Sequence, residues 1–201
     1  MARYTGPKHR LARREGKNII EKESQSLARR LTVPPGMHGV RGRRRVSEYG
    51  LQLREKQITK RTYGLMEKQF RNYYETAKKI RGKTGEILLQ FLETRLDNIV
   101  YRLGFAKSRT MARQMVSHGH VLIDGKKVNI PSFRLKPGQI VSLDTKIMAT
   151  PVVTNLLGAE GVIIPSWLER KAAVGRFLKV PTRDQIPTEV NEQLIVEYYS
   201  K

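Results

Sequence analysis

The sequence predicts an α+β protein, mainly helical, with one helix-to-hairpin corner and an extended basic segment at its start. Three observations predict it. Residues 1–61 carry 17 Lys plus Arg against 5 acids. Apolar residues then recur at helical spacing from Met66 to Leu103. After His120 the period drops to two around Asp124-Gly125, the pair favoured in a tight hairpin turn.

The basic segment is taken first. Pro34-Pro35-Gly36 and the run RGRRR at 41–45 leave few apolar residues, too few to offset the entropy of ordering the chain. Residues 1–45 are therefore predicted to be extended and ordered mainly by a partner. The opening MARYTGPKHRLARREGK lacks the apolar block of a secretory signal. Its Tyr4-Thr5-Gly6-Pro7 turn also interrupts the amphipathic helix of a transit peptide, so it is read as part of the mature protein.

Helices follow. Ser47 is the expected N-cap of a short helix over 48–57. Met66, Phe70, Tyr73, Ala77 and Ile80 form one apolar face. Lys68, Arg71, Lys78 and Lys79 lie off it, toward solvent or phosphate, and Gly82 and Gly85 end the helix. From Glu86, the spacing of Leu88, Leu92, Leu96, Ile99 and Leu103 predicts one further helix, closed by Gly104. Ser108 opens another, running to Ser117. Val121, Ile123, Val128 and Ile130 are inward candidates of the hairpin, and Gln139–Leu143 is a further strand. Residues 146–180 are short apolar pieces with Trp167 in a core. Propensity leaves 190–199 open between helix and strand.

Composition limits the function. The 201 residues carry a formal charge of +21, an excess that repels itself unless a polyanion neutralises it. Nucleic acid is the first candidate partner and an anionic membrane surface the second. With no cysteine there is neither a disulfide framework nor a thiolate metal site. No apolar run is long enough to span a membrane. A membrane-surface role needs exposed bulky apolar residues on an amphipathic helix, and these helices need their apolar faces for a core.

The corner KSRTMARQMVSHGHVLIDGKKV (107–128) concentrates the cations. With Arg109 placed at zero and about 100° per residue, Met111, Met115, Ala112 and Val116 span about 200–340°. Arg109 and Arg113, at about 0° and 40°, are expected on the flank of that arc, side by side. Lys107 and Ser108 stand at the helix N-terminus, where free N–H groups favour an anion. Lys126 and Lys127 continue the positive surface past the turn. Such a cluster grips a phosphate backbone and positions a nucleic acid without reading much of its sequence.

Other chemistry finds little footing. His118 and His120 are two apart, the spacing that puts two residues on one face if the segment is a strand. Only Asp124 is near enough in sequence to join them, so lining a turn or touching RNA is the preferred role. Glu93 and Asp97, four apart, are expected to be solvated or paired with Arg95 and Arg102. Tyr63, Phe70, Tyr73 and Tyr74 are stacking candidates for splayed bases. Phe70 and Tyr73 are expected in the core instead, with Tyr74 off that face. GVRGRRR lacks the Lys-Ser/Thr of a P-loop, and Asp184 has no catalytic setting.

The run ETRLDNIVYRLGFAKSRTMARQMVSHGHVLIDGKKVNIPSFRLKPGQIVSL from Glu93 resembles a small helix-helix-hairpin RNA-binding module. Together with RYTGPKHRLARREG, SEYGLQLREKQ, YGLMEKQFRNYY and NEQLIVEYYSK in order, the chain resembles the bacterial-type small-subunit ribosomal protein four family. That resemblance implies a mainly helical domain with the module inserted in it. The implied division is an extended segment 1–45, helical residues 46–92, the module 93–152, and 153–201 with the C-terminal segment returning to the first helices. It further implies a structural constituent of the small ribosomal subunit that binds the rRNA directly and nucleates assembly of its 5′ domain. Carried over by position, the rRNA contacts are Arg3, Lys8, Arg10, Arg13, Arg14, Arg54, Lys56, Arg61, Arg71, Lys107, Ser108, Arg109, Arg113, His118, His120, Lys126 and Lys127. Arg41, Arg43, Arg44 and Arg45 are candidates at the mRNA entrance. Small-subunit ribosomal protein five is the implied protein partner, with an influence on decoding accuracy, and many members repress their own operon. The implied location is the ribosome, in a bacterial cytoplasm or an organelle encoding its own ribosomal proteins.

Some members hold zinc on four N-terminal cysteines. Here the first two expected positions hold His9 and Ala12, so a zinc-free member is expected, with no cofactor. The competing class is an RNA-modifying enzyme bearing a similar module, such as a pseudouridine synthase or a methyltransferase, and no uncommitted stretch is long enough for its catalytic domain. Replacing Arg109 and Arg113 by Ala is expected to weaken RNA binding with little loss of stability, whereas Met115→Asp unfolds the module.

Overall fold

A computed structural model describes residues 4–20, 24–39, 45–159 and 162–200. They fall into two compact units. One takes in the described residues up to Gly85 together with those from Thr188 onward, and the other is Glu86–Pro187.

In the first unit, α1 (Lys8–Glu15) and α2 (Gln25–Ala28) occupy part of the stretch predicted to be extended. The reason is internal. Ala12 and Glu15 are buried, and Glu15 accepts from Arg54 and Arg61 of α3 (Glu48–Thr62). Gly16, at φ 73°, closes α1 in a left-handed cap with its N–H on Ala12 O. A charged segment poor in apolar residues thus gains a fixed conformation by ion pairing, a source of order that counting apolar residues misses.

Ser47 caps α3 as expected, its hydroxyl accepting from Gly50 N at 3.2 Å, and the helix runs one turn past the predicted end. In α4 (Glu67–Lys78) the buried face is Phe70, Tyr74 and Ala77. Met66 and Ile80 are exposed and Tyr73 is only half-buried. Tyr74 takes the place expected of Tyr73 because the C-terminal helix (Glu192–Ser200) brings Tyr199 to a ring separation of 4.6 Å. That helix resolves the ambiguity at 190–199. It packs on α3, burying Ile195 and pairing Gln52 Nε2 with Glu197 Oε2 at 3.1 Å.

The second unit corrects the single helix expected from Glu86 to Leu103. α5 (Thr84–Glu93), which starts at the unit boundary, and α6 (Leu96–Arg102) are separated by Thr94 and an extended Arg95. Residues 131–135 fill the break: Leu96 N donates to Phe133 O at 2.8 Å and Leu135 N to Thr94 O at 3.0 Å. Apolar spacing passed through the break unchanged, so periodicity carried no sign of it.

α7 (Arg109–Ser117) leads into β1 (Val121–Ile123) and β2 (Lys126–Lys127). Asp124 and Gly125, at φ 50° and 79°, make the predicted two-residue turn. β3 (Ile140–Leu143), the short α8 (Thr145–Met148) and α9 (Pro151–Leu157), then β4 (Leu168–Lys171) and β5 (Val174–Phe177) complete the unit. The sheet is antiparallel in the order β2-β1-β3-β5-β4. It therefore takes in residues well beyond 152. Val121, Ile123, Val141, Leu143 and Phe177 form one core with Leu96, Ile99, Val100 and Leu103 of the α6 region, Met115 of α7, and Trp167. Gly175 is required where β5 crosses Leu103, whose side chain leaves no room for a Cβ.

Candidate nucleic-acid interface

Ser108 caps α7, its hydroxyl accepting from Met111 N at 3.3 Å. The face that α7 buries is rotated from the expected one. Ala112, Arg113, Met115 and Val116 are buried, spanning about 240° through zero to 40° on the helix. Arg109 lies inside that arc. Its Nε donates to Asn98 Oδ1 at 2.8 Å, and its guanidinium sits 4.5 Å from the centre of the Tyr101 ring. Arg113 is 8% exposed. The two guanidiniums expected to face outward side by side are instead turned toward the unit's interior.

The rotation follows from a buried polar network. Glu93, wholly buried, accepts from Arg102 Nε at 3.0 Å and Nη2 at 2.7 Å, and from Asn98 Nδ2 at 2.7 Å. Asn98 thereby offers its carbonyl oxygen to Arg109. Beside it, Arg95 grips Asp97 in a two-pronged pair at 3.0 and 2.6 Å. Both carboxylates are thus paired with the arginines named for them in the sequence. Buried charges persist only when paired and hydrogen-bonded in this way.

Exposed on the corner are Lys107, Thr110, Gln114, Ser117, His118, Lys126 and Lys127. Thr110, Gln114 and Ser117 were missed, though their positions at about 80–140° place them opposite the buried arc. The His118 and His120 rings lie 6.0 Å apart. Asp124 is taken up by β3, accepting from Ile140 N at 2.9 Å and Gln139 Nε2 at 3.2 Å. Lys127 pairs with Asp144 at 2.9 Å, which holds that carboxyl below its ordinary range.

In the first unit the named cations divide. Lys8, Arg10 and Arg14 are exposed on α1, and Arg45 precedes α3, also exposed. Arg13 donates to Val33 O at 3.0 Å and Pro34 O at 3.1 Å, holding the prolyl turn against α1. Arg54 and Arg61 both meet Glu15, and burial pulls the Arg61 guanidinium below its usual range, opposed by Glu15. Lys56 is 3% exposed, its ammonium 2.9 Å from Glu67 Oε1 and 4.6 Å from the centre of the Tyr198 ring. Expected as an outward contact, Lys56 is an internal one, because the C-terminal helix covers it. Arg71 is exposed and paired with Glu75. Of the stacking candidates, Tyr63, Phe70 and Tyr74 are buried. Arg3, Arg41, Arg43 and Arg44 lie outside the described residues.

Among the described residues no group of three His, Cys, Asp or Glu is placed to hold a metal, and no helix is long and apolar enough to cross a membrane. The exposed lysines, arginines, hydroxyls and amides of the corner and of α1 are of the kind that contact phosphate and sugar.

The comparisons with known proteins narrow this. Residues 3–93 match the ribosomal protein S4/S9 N-terminal domain, and residues 94–141 match the S4 domain. Small ribosomal subunit protein uS4 of Dictyoglomus turgidum is 52% identical over the whole of both chains. The chain belongs to the small ribosomal subunit protein uS4 family. uS4 of Cutibacterium acnes is 53% identical and uS4 of Bacteroides thetaiotaomicron 49%, each again over both whole chains. The S4-domain match runs from Thr94, in the break after α5, into β3. It thus covers the helix-to-hairpin corner and, apart from Glu93 itself, the residues of the polar network.

Proposed function

We propose that this uS4-family chain binds small-subunit ribosomal RNA as an early, non-catalytic structural constituent and organises the 5′ domain for assembly. The observation that carries the reading is the coincidence of the S4-domain match with a corner whose outer side is cationic and hydroxyl-bearing. Lys107 and Ser108 at the α7 N-terminus, with His118, Lys126 and Lys127 across the turn, supply phosphate and 2′-hydroxyl contacts. His120, Arg109 and Arg113 set the shape that these groups present. On α1, Lys8, Arg10 and Arg14 add backbone contacts, and the network that holds Arg13, Arg54 and Arg61 fixes where they stand.

Arg45 and its neighbours Arg41, Arg43 and Arg44 are assigned to the mRNA entrance. Small-subunit ribosomal protein five is the proposed protein neighbour, through which the chain influences decoding accuracy. Full-length likeness to uS4 relatives supports both assignments.

The test is affinity for a 5′-domain rRNA fragment against an unrelated structured RNA of equal length, across a salt series. Charge alone gives both RNAs similar affinity, falling together by about 0.7–0.9 log units per log unit of salt for each phosphate neutralised. A preference for the rRNA fragment that persists at high salt supports the proposal, and two RNAs that fade together overturn it.

A further inference from the structure

Helix α4 carries cations that the fold does not use. With Lys68 placed at zero, the buried Ala77, Phe70 and Tyr74 stand at about 180°, 200° and 240°. Lys78, Arg71, Glu75 and Lys79 stand at about 280°, 300°, 340° and 20°, all exposed. Arg81 and Lys83 follow in the exposed turn around Gly82, which adopts φ 135°. Among the described residues, Lys68, Lys78, Lys79, Arg81 and Lys83 make no side-chain hydrogen bond or ion pair. Arg71 pairs with Glu75, at 2.9 Å.

Local helix physics accounts for only part of this. A lysine near the C-terminus of a helix, such as Lys78 or Lys79, interacts favourably with the dipole. Lys68 stands in the first turn, where the same dipole disfavours a cation, and the acid that α4 places there, Glu67, is turned to Lys56 and Lys60. Arg81 and Lys83 lie beyond the helix. The row from Lys68 to Lys79 is about 16 Å long, with the turn extending it, which suits the backbone of one strand rather than a single anion.

We infer that the outer face of α4 and the 79–83 turn form a phosphate track for the small-subunit rRNA. The inference rests on the rRNA-binding reading above and adds to it the contact residues Lys68, Lys78, Lys79, Arg81 and Lys83. Glu75 moderates the track by occupying Arg71.

The experiment compares the full chain with a variant carrying K68Q, K78Q, K79Q, R81Q and K83Q, and separately with E75Q. The probes are the 5′-domain rRNA fragment, the unrelated RNA and heparin. The replaced side chains are exposed, so thermal unfolding of the fivefold variant is expected to match that of the parent. Its affinity for the rRNA fragment is expected to fall at least tenfold at about 0.1 M salt, with a salt slope flatter by about 0.7–0.9 for each phosphate lost. The loss on unrelated RNA is smaller, and E75Q binds the fragment more tightly with a steeper slope. An unchanged affinity and slope in the fivefold variant, while the parent still prefers the rRNA fragment, overturns the track and leaves the broader reading standing. So does an equal loss on the fragment, the unrelated RNA and heparin. A parent chain with no preference for the fragment removes the rRNA reading and the track with it.

Discussion

Arg109 Nε donates to Asn98 Oδ1 at 2.8 Å, and the same Asn98 donates from Nδ2 to the buried Glu93. A helix expected to hold its arginines out to solvent is thereby tied to a carboxylate in the interior. Asn98 also donates from Nδ2 to Glu93 O at 3.1 Å, and at 2% exposure it makes these hydrogen bonds away from water.

Replacing Asn98 by Ala leaves the Glu93 carboxylate and the Arg109 guanidinium each short of a partner. The expected cost is about 1–3 kcal/mol of unfolding free energy, the penalty of unsatisfied buried groups. Asn98→Ala and Arg109→Ala are expected to couple by about 0.5–3 kcal/mol in a double-mutant cycle followed by chemical denaturation. Strict additivity would show that the link through Asn98 carries no energy. Removal of Arg109 and Arg113 together is also expected to cost stability, contrary to the sequence-based expectation. Arg113 is itself buried, at 8% exposure, so this pair is a poor probe of RNA contact.

Glu15 plays a comparable part on α1. Its carboxylate is buried and accepts from Arg54 and Arg61. Glu15→Ala sets the two guanidiniums against each other and is expected to cost about 1.5–3 kcal/mol, the range for hydrogen bonds to charged groups. Hydrogen exchange gives the sharper readout. Amides of residues 8–15 are expected to lose protection while those of β1 and β3 keep theirs, and unchanged protection in α1 would remove Glu15 as its anchor.

These two networks mark where sequence reasoning stopped. Caps and turns were legible: Ser47, Ser108 and Asp124-Gly125 act through their own backbone neighbours, so local chemistry suffices to place them. Of the period-two residues expected inward, Val121 and Ile123 lie in the core and Val128 packs against it, while Ile130 is 52% exposed. What failed depended on partners distant in sequence. The break at Thr94 and Arg95 is made by residues 131–135, and Tyr74 displaces Tyr73 because of Tyr199. Lys56 and Arg113 read as surface cations because charge alone cannot reveal a covering helix or a rotated face. The cations in the interface were legible as a class, and their division into internal and outward ones was not.

The Lys56 site also gives the protein a specific response to pH. Glu67 Oε1 lies 2.9 Å from Lys56 Nζ and 2.8 Å from the Tyr199 hydroxyl, and Oε2 lies 2.7 Å from Lys60 Nζ. Partial burial works against ionisation, but the hydrogen bonds from Lys60, Lys56 and Tyr199 outweigh it and draw Glu67 from 4.5 to about 2. A carboxylate whose folded-state value is lowered stabilises the fold above its unfolded value and loses that contribution as the pH falls. The Glu67 contribution is therefore complete above about pH 4.5 and fades toward pH 2. Tyr199 moves the opposite way: burial and then the Glu67 carboxylate raise it well above its usual range. Its contribution is complete below pH 10 and is lost as the pH climbs through the raised value. Glu67→Gln is expected to lower the melting temperature at pH 7 and to flatten the acid limb between pH 4.5 and 2. Tyr199→Phe is expected to flatten the alkaline limb above pH 10 instead. Parallel melting curves for the parent and Glu67→Gln across the acid range would show that this carboxylate does not link the C-terminal helix to α3.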